Sequence, residues 1–188
     1  MSERLIPAYL AGPDVFFPNA KALGAAKVQL AAKYGFEGLF PLDAELDLAG
    51  MDGPEAARAI FEANLDLMER AQIVIANISP FRGPGLDGGT AWELGWCHAK
   101  GKPAFAYSVS DATYVDRVLA LFGGSRDTEQ DADGLTIEGF GMADNLMIIC
   151  GLAGGAPVLR AADPAASREE ADMQAFEHCL KAAQKACA

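Results

Sequence analysis

No apolar run in these 188 residues reaches the roughly 20 that a membrane-spanning helix needs. The first residues, MSERLIPAYLAG, lack the longer apolar stretch and cleavage site of a secretory signal. Cysteine is sparse and unpatterned: Cys97, Cys150, Cys179 and Cys187 show no CxxC spacing and read as reduced thiols of a cytoplasmic protein. Histidine is scarcer still. His98 and His178 have no spaced partner, so neither a zinc site nor any other metal site is expected. Positive charge is short as well: 15 Lys and Arg face 26 Asp and Glu, a net −11. Phosphate backbones and anionic bilayers would be repelled, so neither nucleic acid nor a membrane is an expected partner.

Several catalytic signatures are missing too. The first turn, AGPDVFFPNA, is not G-x-G-x-x-G, and Asp14 would repel a pyrophosphate. Gly83 to Gly88 has the glycine spacing of a phosphate-binding loop, but Gly89 and Thr90 follow where Lys and Ser/Thr are needed. G-x-S-x-G is absent, and no histidine lies near a suitable serine. Cys97 and His98 are helix neighbours about 100° apart, a poor nucleophile–base pair, and Cys97 reads as packing beneath a sheet.

What is present is a chain that is 51% hydrophobic, which excludes disorder, and of a length that suits one domain spanning 1–188. Leu5 to Ala11 reads as a buried strand, and Asn19 is placed to cap a helix running to about Tyr34. Gly35 to Phe40 is a second strand, Leu42 to Gly53 a loop, and Pro54 starts a helix to about Ala71. Ile73 to Ile78 is the strongest central strand, Ser79 to Gly89 a long loop, and Pro103 to Tyr107 a fourth strand. Beyond it come a short helix over Tyr114 to Phe122 and a mobile acidic excursion over Gly123 to Gly134. A buried helix or strand over Asn145 to Leu152 and a loop over Gly154 to Ala166 follow. Ser167 caps a final helix at about 167–187. Strand alternating with helix indicates an α/β fold with a doubly wound parallel sheet, whose ligands bind along the edge where the post-strand loops lie. Those loops, Gly12 to Pro18, Leu42 to Gly53 and Ser79 to Gly89, are unusually long and rich in Gly, Pro and Asp.

The stretch Leu86 to Gly101, LDGGTAWELGWCHAKG, concentrates the chemistry. A helix must begin near Gly88 or Gly89, with Asp87 or Thr90 accepting from its free amides, and Lys100 with Gly101 stopping it. Glu93 is expected within about the first turn, where the helix dipole favours a carboxylate, and Asp87 lies six residues earlier. Two readings of this pair stand. In one, a carboxylate attacks a sugar carbon while its neighbour manages the proton. In the other, one acid complements the dipole and the other sits in a turn. Trp92 and Trp96, four apart, fit core packing or, for one of them, a base-stacking role.

Taken in order, YLAGPDVF at Tyr9 to Phe16, PLD at Pro41 to Asp43, NLDLMERAQIVIANISPFRG at Asn64 to Gly83, DGGTAWELGWCHAKGK at Asp87 to Lys102 and EGFGMADNLM at Glu138 to Met147 form a specific series. By that series, covering roughly Leu5 to Leu152, the chain resembles the nucleoside 2-deoxyribosyltransferase family. SPFRG and DGGTAWELG look closer to its purine-handling, trypanosomatid-like branch. The resemblance implies a flavodoxin-like three-layer α/β/α domain and an enzyme of nucleotide salvage that exchanges the base of a 2'-deoxyribonucleoside for a free nucleobase. It implies Glu93 as nucleophile, Asp87 acting at base and sugar, and Tyr9 close to the nucleophile. It further implies Asn145 reaching a neighbouring subunit's sugar site in a homo-oligomer, and no cofactor. Gly12, Asp14, Phe16, Asp43 and Arg82 fall on motif positions that imply substrate binding. Where several members carry a base-protonating aspartate this chain has Asn64, with Asp66 two residues on; an amide is no acid, so either Asp87 carries the proton or the register differs by two.

The chemistry is coherent. A 2-deoxyribosyl centre lacks the electron-withdrawing 2-hydroxyl, so one ionised carboxylate can trap its oxocarbenium-like transition state as a glycosyl ester. Two alternatives remain: an N-glycosidase of the same fold, in which water takes the sugar, and a non-catalytic nucleoside-binding module. Purine against pyrimidine preference is open at this stage.

Overall fold

Apolar runs bounded by Gly, Pro and Asp become strands, and capped amphipathic runs become helices, in the order β1 (Ile6–Ala11), a 3-10 turn (Pro13–Phe16), α1 (Ala20–Lys33), β2 (Phe36–Leu39), α2 (Gly53–Arg70), β3 (Ile73–Asn77), α3 (Gly88–Ala99), β4 (Ala104–Ser108), α4 (Tyr114–Phe122), β5 (Gly124–Ser125), β6 (Gln130–Asp131), α5 (Leu146–Ile149), β7 (Leu159–Arg160) and α6 (Arg168–Cys187). This computed structural model describes residues 4–42, 46–153, 159–160 and 166–187. The sheet is parallel with order β2-β1-β3-β4, and β7 adds two residues beside β4. Chain order reverses between β1 and β3, and doubly wound sheets bind ligands at the crevice such a reversal opens.

Side chains alternate across each strand, so the sheet has two unlike faces. Tyr9, Ala11, Val74, Ala76, Ala104 and Ala106 face α2, α3 and α5; apart from Tyr9 these are small, which lets Leu94 and Cys97 of α3 pack close. Leu10, Ile75, Phe105 and Tyr107 face the other way, against α1 and the Phe176–Leu180 stripe of α6. Capping boxes start α2 (Asp52 with Glu55) and α4 (Thr113 with Asp116), and Ser167 with Glu170 forms the same reciprocal pair ahead of α6.

A buried ionic cluster ties the second face together. Lys27 Nζ lies 2.7 Å from Asp14 Oδ2, 2.7 Å from Asp172 Oδ2 and 2.7 Å from the Tyr107 hydroxyl. Asn77 Nδ2 donates to Asp14 Oδ1 (3.0 Å) and Asp172 Oδ1 (2.9 Å), and its Oδ1 accepts from the Ser79 amide and hydroxyl. A cavity of about 230 Å³ borders the cluster, but the polar groups of Asn77, Ser79 and Asp172 that line it already hold one another, Lys27 and the Val109 amide.

Four expectations change. Within the acidic excursion at 123–134 lies the β5–β6 antiparallel hairpin, with Glu129 in the left-handed conformation (φ 51°) in its turn. Asn145 to Leu152 gives only the one-turn α5, with no buried residue in it and Met147 76% exposed. Within the expected loop at Gly154 to Ala166, Leu159–Arg160 pairs with β4 as a further strand; two residues are too few to leave a periodicity in the sequence. Asn19 occupies the N-cap of α1 without a side-chain capping bond.

Candidate active site

Tyr9 belongs to the strand face that meets α3, so its ring crosses the layer and its hydroxyl donates to Glu93 Oε1 at 2.6 Å. Tyr9 is fully buried and Glu93 half-buried. Glu93 is the sixth residue of α3, beyond the first turn, so its environment is set less by the free amides than by burial and its neighbours. Burial pushes its carboxyl up to about 7; the Tyr9 hydrogen bond opposes that rise, and the charge of Asp87 adds to it. Burial, then the Glu93 charge, hold the Tyr9 hydroxyl well above the ordinary tyrosine range, so it stays protonated and acts as donor. One turn further, burial pushes the Cys97 thiol up to about 11, which keeps it an un-ionised packing group.

Asp87 takes the N-cap of α3, its Oδ2 accepting from the Thr90 amide (3.0 Å) and hydroxyl (3.2 Å). Capping therefore fixes Asp87 at the helix mouth with its charge felt by Glu93. In front of Glu93 opens a pocket of about 360 Å³, walled by Phe61, Asn64 and Met68 of α2 and by Gly89 and Trp92 of α3. The Phe61 and Trp92 rings meet edge to face at 5.4 Å and remain 46% and 47% exposed. The Asn64 Oδ1 is buried with no hydrogen-bond partner among the described residues, an acceptor left over inside the pocket.

The remaining sequence candidates scatter. Asp66 is exposed and not on this wall, whereas Asn64 is. Asp14 is buried on the other face with both oxygens engaged by Lys27 and Asn77. Gly12 follows β1 at φ 152°, where a Cβ would stand 2.7 Å from the Asn77 Cβ, so the turn after β1 passes the end of β3 at a spacing only glycine allows. Phe16 stacks on Phe81 (5.3 Å), and Arg82, itself left-handed at φ 55°, lays its guanidinium over both rings at 5.2 and 4.7 Å. Asn145 caps α5 and donates to Glu138 Oε1 at 2.8 Å; it is not on the pocket wall of its own chain. Asp43 lies outside the described residues. Sequence reading missed Phe61 and Met68, whose spacing with Asn64 (61, 64, 68) is the i, i+3, i+7 of one helix face. Among the described residues no three His, Cys, Asp or Glu side chains group as a metal site, and no helix is long and apolar enough to cross a membrane.

A family model described as nucleoside 2-deoxyribosyltransferase matches residues 8–147. A 2-desoxiribosyltransferase from Leishmania mexicana superposes with a TM-score of 0.62 at 31% identity, covering 91% of this chain and 97% of that one. A conserved protein from Enterococcus faecalis, 20% identical with a TM-score of 0.51 over 95% of this chain and 99% of its own, shares the fold. An uncharacterised protein of Schizosaccharomyces pombe is 34% identical over 155 residues, 74% of this chain and 73% of its own length.

Proposed function

We propose, for a chain that belongs to the nucleoside 2-deoxyribosyltransferase family, that it exchanges the nucleobase of a 2'-deoxyribonucleoside through a covalent deoxyribosyl ester on Glu93. The observation that carries this reading is the 2.6 Å bond from the Tyr9 hydroxyl to Glu93 Oε1 at the back of an open pocket. A buried tyrosine donor holds one carboxylate oxygen, leaving the other to attack. Glu93 Oε2 bonds to C1' as the C1'–N bond breaks, and the electron pair leaves with the base. In the reactive form the pair of carboxyls holds one proton, moved from the raised Glu93 carboxyl to Asp87 at the helix mouth. Asp87 gives it to the departing base and takes one back from the incoming base, which attacks C1' and frees Glu93. Two displacements at one carbon give net retention. Asn64 cannot be the acid; its orphaned Oδ1 suits an N–H of the base, and the exposed Trp92 and Phe61 rings offer a stacking edge.

The reading favours a nucleoside over a nucleotide. Arg82 is the single arginine in the loops after β1, β2 and β3, and it is stacked over Phe16 and Phe81. Asn145, committed to Glu138 within its own chain, is assigned to the sugar site of a neighbouring subunit in a homo-oligomer. A cytoplasmic place in nucleotide salvage, with purines as preferred bases, completes the proposal.

Incubating the protein with deoxyinosine, with and without free adenine, and separating products by chromatography tests it. Deoxyadenosine formed only when adenine is present supports transfer. Hypoxanthine and deoxyribose formed regardless of adenine would assign the hydrolase, and binding without turnover the non-catalytic module.

A further inference from the structure

Two segments that carry site residues, the loop ending at Asp87 and the turn carrying Asn145, are far apart in sequence yet meet at one buried ion pair. Arg117 of α4 lies 3.2 Å through Nη2 from Asp144 Oδ2, and both side chains are almost wholly buried. Arg117 spends its other donors on backbone carbonyls: Nε on Pro84 (2.5 Å), Nη1 on Ala112 (2.7 Å) and Nη2 also on Ala143. Asp144 spends its acceptors on backbone amides: Oδ2 takes Leu86 N–H (3.1 Å) and Oδ1 takes Asn145 N–H (2.8 Å). The carboxylate therefore grips the residue before Asp87, Leu86, and the second proposed site residue, Asn145, itself.

A pair that only stabilised α4 would not need this arrangement. A rigid planar guanidinium spread over three backbone carbonyls and one carboxylate oxygen fixes direction as well as distance, and a buried charge pair is weak evidence for stability alone. The loop it holds has few other ties: the Phe81 amide to the Gly85 carbonyl (3.0 Å) is internal to the loop, and a Cβ on Gly85 would come within 3.5 Å of Asp144 Oδ1. We propose that Arg117 and Asp144 are positioning residues that set Asp87 against Glu93 and, through the same carboxylate, set the Asn145 turn, so that the two halves of the site move as one. This rests on the transferase reading for its kinetic readout but not for its structural one.

Asp144→Asn tests it. A carboxamide in this place must turn its NH2 toward either the Leu86 or the Asn145 amide, a donor facing a donor, so one segment is released whichever way it sits. The groups facing Glu93 are Tyr9 from β1, Asp87 and Cys97 from α3, and the uncharged Phe61, Asn64 and Met68 from α2. Either release lowers kcat for base exchange on the order of ten- to a hundredfold. Release on the Leu86 side, read as faster exchange at residues 84–90, also removes the Asp87 charge that helps raise Glu93, so the acid limb of kcat/KM moves to lower pH. Hydrogen exchange should quicken at residues 84–90 or 143–147 and stay slow in β1 and β3. Arg117→Lys, which keeps the charge beside Asp144 and loses the bonds to Pro84 and Ala112, should shift both readouts in the same direction and carries the test if Asp144→Asn does not fold. Asp172→Asn, on the opposite face, should lower stability without moving the acid limb. An unchanged acid limb with unchanged exchange in these two segments would overturn the proposal, as would an equal pH shift in Asp172→Asn. A wild-type protein with no exchange activity would instead overturn the transferase reading, and the hydrogen-exchange pattern would still decide the clamp.

Discussion

Glu93 is held between opposing influences: burial and the Asp87 charge favour its neutral form, and the Tyr9 hydroxyl favours its ionised one. Removing the hydroxyl removes the only favourable member of that set. Tyr9→Phe should move the acid limb of kcat/KM upward by about one pH unit and cut activity at pH 7 roughly tenfold, since a hydrogen bond to a charged group is worth about 1.5–3 kcal/mol; a full pH–rate profile checks both. Holding Glu93 ready also costs stability. Its folded pKa, about 7, lies above that of the unfolded chain, so the native state binds the extra proton. The cost is absent at pH 4, where both states are protonated, grows as pH rises, and is complete above pH 7. Glu93→Gln should therefore match the wild type in thermal denaturation at pH 4 and exceed it by about 1–3 kcal/mol at pH 8.

Among the elements, β1 does most of the organising: its outward residues reach α3 through Tyr9, and the turn after it sends Asp14 into the Lys27 cluster. Lys27 faces two carboxylates, so its loss leaves buried negative charge unpaired. Lys27→Met should destabilise by about 3–5 kcal/mol at pH 7. Burial already holds Asp172 above the usual carboxylate range, and without Lys27 it takes up a proton more readily still, so urea titrations should show the deficit shrinking as pH falls. This cluster was not legible in the sequence, because Asp14, Lys27, Asn77 and Asp172 belong to four elements and share no spacing. By contrast, the ends of α3 were legible to within a few residues: the sequence offered Asp87 or Thr90 as cap and Gly88 or Gly89 as start, though it set Glu93 a turn too early. Asp87 as cap, the start at Gly88 and the stop at Lys100 and Gly101 are local chemistry, and Gly101 takes the left-handed φ of 69° that such a stop requires. The two-residue strands β5, β6 and β7 were not legible, since pairing across a turn or a sheet edge decides them, not an apolar period.

For the molecule as a whole, alternating strands and helices were enough to imply a doubly wound sheet, and the sheet's reversal between β1 and β3 brings its loops to one edge. What alternation did not convey is that the two faces differ: small residues and the Tyr9–Glu93 bond on one, bulky residues and the ionic cluster on the other. The pocket of one chain lacks Asn145 on its wall, so the proposed function makes the active species an oligomer. Mixing Glu93→Ala with Asn145→Ala subunits should then restore up to about a quarter of wild-type sites, because a mixed pair rebuilds one intact site of two; two inactive proteins that stay inactive on mixing would place each site within a single chain.

The central claim, a covalent bond between Glu93 and C1' of a deoxy sugar, is tested most directly by intact-protein mass spectrometry after acid quench of enzyme held with a deoxyribonucleoside and no acceptor base. The account predicts a single deoxyribosyl adduct that maps by peptide digestion to Glu93, disappears when adenine is added, and is absent in Glu93→Ala. Base exchange proceeding with no adduct, or an adduct that persists in Glu93→Ala, would contradict it.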